Sequence, residues 1–148
     1  HHLNLSKSQD MKVFADLPGS NMPHPSELFR TQIPDLVITR QEKVTVIELT
    51  VPFEMNSSKA RAYKTEKYKY LRNQLLVPCS DFQVIPVEVT TLGFLTKQVS
   101  SFKRFLKDTG CNVDRVTRKM CEVAIRATFY IYCRRNKPWT CPELLKFV

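Results

Sequence analysis

The chain has 148 residues, 23 Lys+Arg against 14 Asp+Glu for a formal charge of +9, and 43% hydrophobic residues with only three Gly. That length suits one domain able to bury roughly two-thirds of its unfolded surface, and the apolar fraction excludes a disordered chain. No run approaches the ~18 apolar residues of a membrane span, and no secretory leader is visible, so an intracellular chain without membrane association is expected.

Residues 1–10, opening on His1-His2, read as a terminal arm or tag remnant, and 11–148 as a single domain. Met11 to Leu17 is a short strand candidate closed by Pro18-Gly19. A short helix fits around 26–31, after Pro23 and Pro25. Pro34 opens a strand from Asp35 to Arg40, and Gln41-Glu42-Lys43 turns it into the strongest strand, Val44 to Phe53. Ser57 suits the cap of a helix running to about Leu76. Phe82 to Thr90 is β-rich, with Pro86 marking an edge strand or a bulge. Two helices follow, one from about Lys97 to Lys107 and one from about Val113 to Arg135, ended by Pro138. On the last, Val113, Val116, Met120, Val123 and Ala127 form the core-facing stripe. The expected fold is therefore α/β, a central mixed sheet of four to five strands flanked by helices. The five Cys (79, 111, 121, 133, 141) are widely spaced, without CxxC, and fit reduced thiols.

Charge is unevenly spread. Residues 1–58 hold five basic and seven acidic side chains, whereas 59–148 hold 18 and seven. An acid-leaning segment before a strongly basic one suits a metal site beside a polyanion track, or else a solvated helical surface. Lys59, Arg61, Lys64, Lys67, Lys69 and Arg72 crowd one helix with Tyr63, Tyr68 and Tyr70, and Lys103, Arg104, Lys107, Arg115, Arg118 and Lys119 form a second group. These are candidates for DNA phosphate contacts, which position a duplex without reading its sequence.

Three polar residues stand where the pattern calls for apolar ones. Glu48 lies inside Val-Thr-Val-Ile-Glu-Leu-Thr-Val, on the face with Val44, Val46 and Thr50, opposite Ile47, Leu49, Val51 and Phe53. A carboxylate there is costly unless it is paired or holds a cation. Asp35, at the mouth of the preceding strand, comes near Glu48 if the two strands form a hairpin. Lys64 falls on the helix face with Ala60, Tyr68, Leu71 and Leu75 that should meet the sheet. Each has an ordinary reading as an ion pair or a snorkelling Lys. Together they fit a hard-metal site with an ammonium nearby, suited to phosphodiester hydrolysis with Mg²⁺ or Mn²⁺. No Gly-rich phosphate loop is present, so NTP use is not expected.

Pro34-Asp35, then Glu48-Leu49-Thr50 thirteen residues on, resembles the PD-(D/E)xK nuclease superfamily, the restriction-endonuclease-like fold. Thr50 stands where the motif usually has Lys. In the restriction-like endonuclease domains of non-LTR retrotransposon proteins that Lys lies on the following helix in a K-x-x-K-Y pattern, and Lys64-Thr65-Glu66-Lys67-Tyr68 is similar. Glu48 to Glu54 also resembles their E-L-T-V-P-W-E segment, Pro86-Val87-Glu88-Val89 with Gly93-Phe94 their P-V-E-V…G-F segment, and Ala124–Ala127 through Arg134, Arg135 and Pro138-Trp139 their closing basic, aromatic helix. The resemblance covers about residues 11–139. It implies that Asp35 and Glu48 are metal ligands, with the Leu49 carbonyl a third and Glu27 an additional acid. It further implies that Lys64 is the catalytic Lys, and that Lys67 and Tyr68 contact the scissile phosphate or hold the site. No role for Glu54 or Glu88 follows. The implied protein is a DNA endonuclease domain within a larger reverse transcriptase polypeptide, nicking chromosomal DNA to prime copying, hence nuclear. The other readings are a catalytically inactive nucleic-acid-binding module on such a fold, and a structural domain whose buried polar residues are merely paired.

Overall fold

The computed structural model describes residues 10–97 and 99–135. Residues 1–9 of the terminal arm, Lys137, Pro138, Trp139 and Cys141 lie outside them. The architecture is α/β, with one four-stranded mixed sheet flanked by helices. Strands β1 (Met11–Ala15), β2 (Leu36–Arg40), β3 (Lys43–Thr50) and β4 (Asp81–Glu88) lie in that order. β1–β2 and β2–β3 pair antiparallel, and β3–β4 pair parallel. The β2–β3 turn is only Gln41-Glu42, with Gln41 at φ 53° supplying the left-handed residue that Gly or Asn would normally provide. Pro86 sits on the edge strand β4, where a missing N–H is tolerated.

Alternation along the strands makes two cores. Val37, Val44 and Val46 face Phe29, Tyr68 and Leu71 on one side of the sheet. Ile38, Ile47, Ile85 and Val87 face Val99, Phe102 and Leu106 on the other. α1 (Ser57–Lys67) crosses over between β3 and β4, while α2 (Ser100–Asp108) and α3 (Val113–Arg134) follow β4. Among the described residues no helix is long and apolar enough to cross a membrane. The four described Cys are free thiols.

Several boundaries differ from the sequence expectation. The short helix around 26–31 is a single 3-10 turn, Pro25–Glu27. Ser57 is the first helical residue rather than the cap; Asn56 takes that position without a side-chain cap bond. α1 stops at Lys67 instead of reaching Leu76. The chain then turns through a 3-10 segment, Leu71–Gln74, because residues 74–76 are claimed by another partner. Leu76 N donates to Leu28 O, Arg30 N donates to Gln74 O, and Phe29 bridges Leu75. β3 ends at Thr50, short of the expected Phe53, and Leu49, Val51 and Phe53 are exposed. On α3, Val113, Val116 and Met120 do pack on the second core, but the buried residues are Thr117 and Ala124, one position off the expected stripe.

Candidate active site

The site arises from a mismatch in strand length. β3 outruns β2, whose last pair is Leu36 with Ile47. Continued by two steps, the ladder would set Pro34 against Leu49, and Pro34 has no N–H to offer. Asp35 closes the gap with its side chain, whose Oδ2 accepts from Leu49 N at 2.9 Å. Asp35 N in turn donates to Glu48 Oε1 at 3.1 Å. The two carboxylates, thirteen residues apart in the chain, are thereby locked side by side.

From α1, Lys64 descends onto them. Its Nζ donates to Glu48 Oε2 at 2.8 Å and lies 3.9 Å from Asp35 Oδ2. Glu48 is 1% exposed, whereas the Asp35 side chain is 45% exposed, so the site has a closed floor and an open mouth. Burial pushes the Glu48 carboxyl above its ordinary value. The Lys64 hydrogen bond opposes this and the Asp35 charge adds to it. Tyr68, buried just past the end of α1, places its ring 5.5 Å from Lys64 Nζ and 4.9 Å from Lys67 Nζ, so two ammonium groups meet one aromatic ring. Burial, then the charge and hydrogen bonding of Glu48, raise the Tyr68 phenol well above the usual tyrosine range. It therefore stays protonated at working pH.

The donor set is hard oxygen throughout. Among the described residues no three His, Cys, Asp or Glu side chains cluster as metal ligands. Two carboxylates suffice for Mg²⁺ or Mn²⁺, which keep several waters and share substrate phosphate oxygens. Leu49 adds a backbone carbonyl. In extended backbone a residue's N–H and C=O point to the same flank, here the one that Asp35 occupies. The carboxylates already hold one cation, the Lys64 ammonium, which shows the sign of charge the site accepts.

The remaining expected residues separate into groups. Glu27 ends its 3-10 turn exposed, with no bond or ion pair to Asp35, Glu48 or Lys64 among the described contacts, so the structure gives no support for it as an additional acid. Lys59, Lys67, Lys69 and Arg72 are exposed on the α1 side of the sheet. Arg61, expected among the phosphate contacts, turns inward instead, and its Nε donates to Glu88 Oε1 at 2.9 Å. Lys103, Arg104, Lys107, Arg115 and Arg118 are exposed on helices packed against the opposite face, and Lys119 is half-buried, 3.7 Å from Glu122. Tyr63 and Tyr70 are exposed, but Tyr68 belongs to the core.

Sequence reasoning missed Glu88 as a structural centre. It is 3% exposed and held by Arg61 and by Thr96 Oγ1 at 2.8 Å. The signal was present: like Glu48, Glu88 is a carboxylate set in an apolar run, Val84 to Val89, and Arg61 lies one helical turn before Lys64. The sequence matches no protein-family model and no curated protein.

Proposed function

We propose that this chain is a metal-dependent DNA endonuclease domain on a restriction-endonuclease-like fold, of the kind found within retroelement reverse transcriptase polypeptides. The observation that carries the reading is the convergence of Asp35, Glu48 and Lys64 at the end of β3. The resemblance of the K-x-x-K-Y and flanking segments supports it. Asp35 and Glu48, with the Leu49 carbonyl, would hold Mg²⁺ or Mn²⁺. When bound, such an ion polarises a phosphate and lowers the pKa of a coordinated water. Lys64 has three donors and needs only one for Glu48. The others can orient the attacking water at the open mouth or hydrogen-bond a phosphate oxygen as its charge grows. Lys67, beside Tyr68 and exposed, suits a phosphate contact. Attack by water on phosphorus with loss of the 3′ oxygen leaves a 3′-hydroxyl that a polymerase can extend. A domain cutting chromosomal DNA works in the nucleus.

The test is nicking of supercoiled plasmid by the purified chain with Mg²⁺ or Mn²⁺. Asp35→Ala and Lys64→Ala are expected to abolish nicking, with the fold of each variant checked by circular dichroism. Absence of nicking by the wild type, or nicking indifferent to both substitutions, overturns the reading. The second reading is an inactive nucleic-acid-binding module, favoured by Thr50 at the usual Lys position. It requires salt-sensitive DNA binding that ignores divalent ions and Asp35→Ala.

A further inference from the structure

Within Ser57–Lys67, helix α1 meets the sheet through ions, and the apolar contact begins only at Tyr68, just past its end. Among its described side chains none is buried; Ala60, Arg61 and Lys64 are half-buried and the others exposed. The two cations on that stripe, one turn apart, reach two buried carboxylates on neighbouring parallel strands. Lys64 meets Glu48 on β3, and Arg61 meets Glu88 on β4. A buried ion pair adds little net stability, yet removing one partner strands a charge. Such pairs therefore fix geometry more than they stabilise.

The two pairs are not equivalent. Lys64 stands at the open mouth, shared between Glu48 and the half-exposed Asp35, where an incoming cation or phosphate competes for both partners. Glu88 has both oxygens occupied, one by Arg61 and one by Thr96, and lies beneath the helix. We infer that, on the nuclease reading above, Arg61 is a positioning residue: its pair with Glu88 keeps α1 seated while Lys64 exchanges between Glu48 and the substrate. Arg61 thus serves the site without touching DNA, and Glu88 anchors the catalytic helix without binding metal.

The test combines amide hydrogen exchange, the NMR signal of the Lys64 ammonium and single-turnover nicking with Mn²⁺, all on the full chain. In Arg61→Gln and Glu88→Gln, amides of residues 61–67 are expected to lose protection by about tenfold or more. The Lys64 signal broadens, while amides of 37–38 and 46–47 keep wild-type protection. Arg61→Lys recovers part of the loss. Nicking at saturating DNA slows by about tenfold or more, with the KM for DNA within about twofold of wild type. Unchanged α1 protection overturns the inference. So does an equal loss in helix and sheet, which a merely structural pair would produce. If both Gln variants fail to fold, Thr96→Val removes only the hydroxyl donor to Glu88. It must show the same helix-selective loss at smaller size, and unchanged protection there is equally fatal. A wild type that never nicks refutes the nuclease reading, and the exchange data then decide the seating of α1 by themselves.

Discussion

Glu48 combines near-complete burial with a net upward push on its carboxyl pKa, burial being the largest cause. Between the ordinary Glu value and the raised one, the unfolded chain has released its proton and the folded chain has not. Stability against unfolding therefore falls as pH rises through that window. Glu48→Gln has no such proton to lose, so urea titrations across mildly acidic pH are expected to show this fall in wild type and not in the variant. On the nuclease proposal, metal binding would need the ionised form. Mn²⁺ affinity by calorimetry should weaken as pH drops through a midpoint above that of an exposed Glu, and Glu48→Ala should abolish it. Tyr68 acts differently. Its raised phenol keeps the proton; Tyr68→Phe should preserve the cation stack, whereas Tyr68→Ala empties a core position and should cost about 3–5 kcal/mol in denaturant melts.

At the scale of elements, the link from α1 to β4 matters most. Leu71, fully buried, pins the 3-10 segment that turns the chain under the sheet, and Leu71→Ala is expected to cost about 2–5 kcal/mol by urea unfolding. Gly93 turns the chain after β4 at φ +78°, and an added Cβ would run into the Ile125 side chain and the Cys121 carbonyl. Gly93→Ala should therefore destabilise by about 1–3 kcal/mol from backbone strain alone, read as a lower Tm. The same segments show what could be read from sequence. The apolar, β-branched character of each run located all four strands within a few residues, because the sheet is covered on both faces. It also exposed Glu48, whose charge breaks the pattern. The end of α1 was not legible: Tyr68, Leu71 and Leu75 keep helical spacing, and the contacts that draw residues 74–76 away come from the distant residues 28–30. The inward turn of Arg61 is hidden for a related reason. A charge on a basic helix looks solvated until the strand beneath is known to carry Glu88.

Across the whole molecule, positive charge divides between the two faces of the sheet. Lys59, Lys67, Lys69 and Arg72 lie on the side of the candidate site, and Lys103, Arg104, Lys107, Arg115 and Arg118 on the helices packed against the other side. On the nuclease proposal, a duplex laid across the mouth at Asp35 would meet the first group, which lies on the same side of the sheet. Each phosphate contact releases counterions, so the logarithm of affinity falls with the logarithm of salt, and each lost contact lowers that slope by about 1. Lys59→Ala and Arg72→Ala should both reduce the slope, measured by fluorescence anisotropy on short duplexes, and slow nicking at low DNA concentration. Arg104→Ala and Arg118→Ala should lower overall affinity through the general field while leaving the nicking rate at saturating DNA unchanged. Equal effects of both pairs on that rate would mean that the duplex wraps around the sheet edge to reach both faces.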